Sequence, residues 1–221
     1  SRQIRRSRGY VPVPIFLKNN LPSVLACGAE LKNTICLTKG DRAFLGQHIG
    51  DLDNAETCAF FELTISHLQR ILEVTPRYVA LDLHPDYLSS VHARRKLDLP
   101  RVVVQHHHAH AVACMAEHEL DEPVIALSLD GTGYGPDGTI WGGELLVAGY
   151  GEYRRIGCLT RTPMPGGVKA ILEPWRGTYA HLRTHLGWDR VLEAYPQLEL
   201  VGWLRKRPLA VLDRMMDGSI N

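Results

Sequence analysis

Three short apolar runs, at about 24–27, 35–38 and 43–49, lie near the start of the chain and are separated by Gly, Lys and Asp. Runs of this length between turn formers predict three short antiparallel strands. The period then changes. In ETCAFFELTISHLQRILEV, Phe60, Phe61, Ile65, Leu68 and Leu72 recur at helical spacing, which predicts a helix with Asn54 as its N-cap. RYVALDL reads as a strand, DYLSSVHARRKL as a helix, RVVVQ as a strand and HAHAVACMAEHEL as a helix. The order is βββαβαβα, an α/β pattern.

After Glu122 the pattern restarts. PVIALSLDGTGYGPDGTIWGGELLVAGYGEYRRIGCL again holds three strand-like runs joined by Gly-rich turns, and a helical stretch follows from about 167 to 186. A unit that begins twice is an internal repeat of topology, though not of residues. Beyond residue 187 the amphipathic stretches are short and broken by Pro196 and Pro208, and no further buried strand is predicted. The expected division is a basic linker arm over 1–20, a first unit over 21–121 and an incomplete second unit over 122–221.

Composition narrows the function classes. With 221 residues, 45% hydrophobic and 22% charged, the chain has ordinary globular composition and room for one large domain or two small ones. Its 25 basic and 24 acidic residues give a net charge of +1, which offers no field for nucleic acid or an anionic membrane. Arg2, Arg5, Arg6 and Arg8 form a local cluster that reads as a solvated arm. Five cysteines, Cys27, Cys36, Cys58, Cys114 and Cys158, are odd in number and lack a C-x-x-C pair, so neither a disulfide framework nor a thiolate zinc site is expected. No apolar run approaches the roughly 20 residues that span a bilayer, and SRQIRRSRGY has no signal-peptide core. A cytoplasmic location is the expectation. The start at Ser, inside a basic stretch, reads as a piece of something longer.

Candidate chemistry concentrates in two places. In QHHHAHA, His106 and His110 are four residues apart, so on a helix they share one face within reach of one ion. Imidazole pairs at this spacing suit zinc or iron and need one or two further ligands, typically carboxylates. The alternative is a His-rich helix start that makes hydrogen bonds and binds nothing. His107 and His108 would point elsewhere, as supporting or solvent-facing groups. DGTGYGPDGTIWGGE, residues 130–144, is a glycine-dense hairpin in which Gly131, Gly133, Gly142 and Gly143 would let backbone N–H groups approach phosphate oxygens. Asp130, at the end of an apolar strand, is placed to hold a divalent cation or to orient a nucleophile. The alternative is a tight hairpin that needs positive φ. GAELKNT, residues 28–34, occupies the equivalent turn of the first unit, where Lys32, Asn33 and Thr34 would cradle a second phosphate face across a cleft. Asp82, His84 and Asp86 of DLHPDY fit loop capping as well as substrate contact, EPWR reads as a helix break with an aromatic anchor or as packing, MPGG as a turn and helix entry, and Cys114 is expected in the core.

Taken in order, GAELKNTICL, QHIGDLDN, DLHPDY, VQHHHAHAVACMAEH, DGTGYGPDGTIWGGE and PGGVKAILEPWR closely resemble the C-terminal domain of the hydrogenase-maturation carbamoyltransferase family HypF, over residues 9–186. That domain is similar to the TsaD- and Kae1-like tRNA threonylcarbamoyl-transferases and to the ASKHA fold of actin, hexokinase and Hsp70, whose two lobes each begin with βββαβαβα. The resemblance implies one complete ASKHA-like lobe and a second that is begun but truncated. It implies that a neighbouring domain makes carbamoyl-adenylate from carbamoyl phosphate and ATP. This domain would then pass the carbamoyl group to the C-terminal Cys of HypE, for the cyanide ligand of [NiFe]-hydrogenase. His106 and His110 match the family's metal-binding pair, and Asp130 matches an acidic residue that completes the ligand set and serves catalysis. Gly28, Lys32, Asn33, Thr34, Gly131, Thr132, Gly133, Gly142, Gly143 and Glu144 would flank the nucleotide phosphates. The implied cofactors are zinc or iron, with ATP or carbamoyl-adenylate and its magnesium.

The departures from the family matter as well. Its full-length members carry acylphosphatase-like, zinc-finger and YrdC-like domains before this one, and RRSRGYVPVPI looks like the linker after the last of these. The family chain also continues past residue 221 with another metal-ligating Asp and a Gly-Gly loop. A half-built, inactive site is therefore expected of the isolated piece, with an exposed second-lobe strand edge as an aggregation hazard. Two other readings are a small-molecule O-carbamoyltransferase, disfavoured by EPWR and QHHHAHAVACMAEH, and a truncated docking module. A kinase would not use paired His, and Ala109 with no Glu base excludes an H-E-x-x-H protease.

Overall fold

The structure, a computed structural model, describes residues 11 and 13–218; Arg2, Arg5, Arg6 and Arg8 of the expected linker arm lie outside the described residues. The element order of the first half is the predicted βββαβαβα: β1 (Ile15–Leu21), β2 (Val24–Ala26), β3 (Cys36–Leu45), α1 (Ala55–Leu72), β4 (Tyr78–Asp82), α2 (Leu88–Lys96), β5 (Arg101–Val104) and α3 (His106–Glu117).

Two strand boundaries differ from expectation. The runs at 35–38 and 43–49 belong largely to one ten-residue strand, β3, that continues through Lys39, Gly40 and Asp41. Gly40 takes φ +62 where the β1–β3 register shifts, so a residue that reads as a turn former serves as an irregularity within the ladder. The strand thereby removed from the count is replaced by β1, which lies in the segment read as linker and pairs antiparallel with β3. Helix α1 follows the prediction closely: the Asn54 side chain accepts from the Thr57 N–H at 2.9 Å, and Phe61, Ile65 and Leu68 are buried.

The first sheet runs β1-β3-β2-β4-β5, with β2, β4 and β5 parallel. Its core holds Leu25, Leu37, Val79 and Leu81 against Phe61 and Ile65 of α1. Each such fully buried aliphatic side chain stabilises the fold by about 1.5–3 kcal/mol. Because three neighbouring strands point the same way, residues 27–34, 83–87 and the start of α3 all leave from one carboxyl edge.

A second, antiparallel sheet follows: β6 (Val124–Tyr134), β7 (Ile140–Ala148) and β8 (Tyr153–Cys158), in the order β6-β7-β8. It is a simple meander, whereas in the first sheet β3 lies between β1 and β2. The repeat therefore holds in strand number and not in strand order. Ala111 of α3 is buried with Trp141, Leu146 and Ala148 of β7, so the second sheet shares a compact unit with the first. That compact unit runs to Leu159, and the remainder from Thr160 is a separate helical unit.

The helical unit contains α4 (Val168–Leu172), α5 (Pro174–His181), a π-helical turn (Leu182–Leu186), α6 (Trp188–Ala194), α7 (Glu199–Leu204) and α8 (Leu209–Gly218). The helical stretch expected over 167–186 is broken at EPWR, as expected, because Pro174 can begin a helix but cannot continue one. Tyr179, Ala180, Leu204 and Leu212 form its core. Among the described residues, no helix is long and apolar enough to cross a membrane.

Candidate metal centre

Helix α3 starts where its histidines can converge. The Gln105 side chain accepts from the His108 N–H at 2.9 Å and caps the helix, which puts His106 in its first turn and His110 one turn later. Their Nε2 atoms lie 3.3 Å apart. Both meet one carboxylate oxygen, Asp130 Oδ2, at 2.7 Å from His106 and 3.2 Å from His110. Asp130 sits in β6 where the β6–β7 register breaks, between Leu129 and Gly133. One ligand atom from each of the three residues lies within 4.8 Å of the others. A carboxylate oxygen and two imidazole nitrogens in such proximity fit a divalent ion of zinc or iron type, with positions left open to substrate.

A fourth residue sets the geometry. Asp82, at the end of β4 and 9% exposed, engages His106 Nδ1 through Oδ2 at 2.7 Å. Its other oxygen accepts from the His84 N–H at 2.8 Å. With Nδ1 held from behind, His106 can only present Nε2 to Asp130. The bonds to Asp130 and then to Asp82 push the His106 imidazole up to about 9, against the opposing effect of burial. In return, hydrogen bonds from His106 and then His110 hold Asp130 well below the usual carboxylate range. Asp130 and Asp82 thus set carboxylates on both sides of the His106 ring, an arrangement that favours a cation.

Of the two roles expected for His107 and His108, supporting or solvent-facing, the structure gives the first: they are 0% and 8% exposed. Gln105 Nε2 donates to His107 Nδ1 at 3.1 Å, leaving His107 Nε2–H to reach the Asp130 carbonyl at 3.4 Å. Burial lowers the His107 pKa, in keeping with a neutral ring. His108 Nε2 bonds the Gly149 carbonyl at 2.7 Å. Together they fasten α3 to the second sheet. Cys114 corrects an expectation: it is exposed on α3, not in the core.

The proposed phosphate contacts divide into two groups. Gly28 closes its turn at φ +69, where an added Cβ would lie 2.5 Å from the Thr34 carbonyl oxygen. Asn33 is 1% exposed and donates through Nδ2 to the Cys27 and Ala29 carbonyls, so it holds the turn from inside. Glu144 is likewise buried, pairs with Arg155 at 2.6 and 3.0 Å, and accepts from the Gly142 N–H. Gly133 leaves room for α3, because a Cβ there would come within 2.6 Å of His107 Cε1 and 3.0 Å of His106 Cβ. Gly143 is filled in the same way by Leu159. Asn33 and Glu144 thus brace the turns from inside, while Gly133 and Gly143 leave room for α3 and Leu159. Lys32 and Gly131 are exposed, Thr34, Thr132 and Gly142 half-buried.

The two turns are joined by the segment after β4. Leu88 N–H donates to Glu30 at 2.6 Å and the Ser89 hydroxyl to the Gly28 carbonyl at 2.9 Å. His84 stacks on Tyr87 at 4.1 Å and meets Tyr134 edge-on at 5.2 Å. Beside His110 and Asp130 lies a shallow open depression lined by Leu127, Ser128 and Leu129. Sequence reasoning missed the roles of Asp82, Gln105 and the His84–Tyr87–Tyr134 rim; DLHPDY at a strand end was the available signal.

Comparison with known proteins gives a consistent picture. Residues 19–117 match the family described as the HypF Kae1-like domain, and residues 126–221 match that described as the carbamoyltransferase Kae1-like domain, second subdomain. Carbamoyltransferase HypF2 of Cupriavidus necator is 53% identical over 88% of this chain and 24% of its own length. The probable carbamoyltransferase HypF of Methanocaldococcus jannaschii is 33% identical over 99% of this chain and 29% of its own. A crystal structure of full-length HypF in its phosphate- and nucleotide-bound form superimposes with a TM-score of 0.81 at 41% identity, over 97% of this chain and 27% of that one. The chain spans about a quarter of the length of the curated relatives it matches.

Proposed function

The chain belongs to the HypF carbamoyltransferases, as their Kae1-like domain, and from this premise we propose that its metal centre serves carbamoyl transfer in hydrogenase maturation. The observation that carries the reading is the convergence of His106, His110 and Asp130 at the carboxyl edge of a parallel sheet, with Asp82 fixing His106 from behind. Ligand sites of open α/β sheets gather at that edge.

His106 Nε2, His110 Nε2 and the Asp130 carboxylate would hold the ion. Bound there, zinc or iron supplies a Lewis acid that stabilises negative charge developing on a carbonyl or phosphoryl oxygen. The remaining work falls to the chain. Asp82 keeps Nε2 of His106 aimed at the reacting region, and Gln105 and His107 keep the start of α3 against β6. Lys32, Thr34, Gly131 and Thr132 line the approach for nucleotide phosphates. The substrate of this reading is carbamoyl-adenylate, made from carbamoyl phosphate and ATP, and the acceptor is the C-terminal Cys of a HypE-like partner. Thiolate adds to the carbamoyl carbon, the bond from that carbon to the AMP phosphate oxygen breaks, and AMP leaves with the electron pair. The product is a thiocarboxamide.

The test exchanges this chain for the matching segment of the Cupriavidus necator HypF2 and follows carbamoyl transfer to a peptide ending in Cys. Transfer is expected with the exchanged segment and is lost with His106→Ala or His110→Ala. Undiminished transfer in both variants would overturn the reading, and preference for a sugar hydroxyl over the peptide would move it to small-molecule O-carbamoylation.

A further inference from the structure

The helical unit carries a second histidine pair that the function above does not use. Helix α5 ends at His181, and the chain continues directly into the π-helical turn that contains His185. The two rings lie 5.5 Å apart and tilted by 37°. One nitrogen of each is aimed at the same atom: His181 Nδ1 lies 3.2 Å and His185 Nε2 2.7 Å from the hydroxyl oxygen of Thr162. His181 and His185 are exposed and Thr162 is half-buried. From this convergence we propose that Thr162, His181 and His185 form a binding site for a divalent transition-metal ion, made of residues other than those of the first centre.

The chemistry favours an ion at this place. A hydroxyl has one hydrogen, so it satisfies the lone pair of one imidazole while the other ring must turn an N–H toward it. A divalent ion takes both lone pairs at once from neutral rings, with the hydroxyl oxygen or water at a third position. Imidazole donors select zinc, nickel and copper over magnesium or calcium. The field agrees: His185 lies in the last turn of the continuous helical stretch, where the carbonyl end favours a cation. Arg183, the cation on the same turn, is held by Asp213 at 3.0 Å and Asp217 at 2.8 Å, so its charge is compensated. Irregular helical turns of the π type also recur at functional sites.

The probe is Zn²⁺ alone, titrated into the 221-residue chain carrying His106→Ala and His110→Ala. One equivalent is expected to bind, and a further His181→Ala or His185→Ala to weaken that event at least about tenfold, roughly 1.4 kcal/mol. A background variant that binds no zinc, or binds it equally well after either further substitution, overturns the proposal. Should the background variant not fold, the unsubstituted chain serves: zinc must shift the imidazole NMR signals of His181 and His185 in the same titration step. Signals that stay in place reject the site.

Discussion

Asp82 lies outside the convergent set and yet decides its geometry. Its carboxylate meets His106 Nδ1 at 2.7 Å and is nearly buried. Asp82→Asn keeps size and one acceptor but removes the charge that orients and strengthens the imidazole. Zinc affinity of the first centre should fall by about 10–100-fold, read by competition with a chelator, while the circular dichroism spectrum stays the same. Unchanged affinity would show that Asp82 merely caps the loop. His106 and His110 were legible in the sequence because i and i+4 share a helix face whatever the fold. Asp82 was not, since its position depends on the β4–β5 register, which pairs Asp82 with Val104 two residues before His106.

At the scale of elements, the same division between local and distant causes recurs. Helix α1 and its Asn54 cap were legible because cap and periodicity lie within one stretch. Strand β3 was read as two strands because Lys39, Gly40 and Asp41 resemble a turn locally, and only pairing with β1 keeps them extended. In the glycine hairpin a packing demand was hidden for a similar reason: glycine content does not reveal which residues lie against a helix. Gly133 faces α3. Gly133→Ala should destabilise the protein by about 1–3 kcal/mol through overpacking and weaken zinc binding, because His106 and His107 must move. Gly131→Ala meets nothing within 4 Å and should leave stability within about 0.5 kcal/mol. Equal melting temperatures for the two variants would refute the packing role.

For the whole molecule, the unit boundary at Leu159 follows from packing that no local pattern announces: Ala111 on α3 is buried with Trp141, Leu146 and Ala148 of the second sheet. The same sheet leaves β6 at its edge, with Ile125 74%, Leu127 61% and Leu129 69% exposed. An apolar edge strand of this kind invites association. Ile125→Lys should therefore reduce concentration-dependent light scattering of the chain, and equal scattering would place the association elsewhere. The central claim remains that His106, His110 and Asp130 hold one divalent ion. It is tested most directly by an anomalous difference map, recorded at the zinc edge, from crystals of the chain grown with Zn²⁺. The account predicts a peak bonded to His106 Nε2, His110 Nε2 and an Asp130 oxygen at about 2.0–2.2 Å. Crystals that show zinc elsewhere and none between these three residues would contradict it.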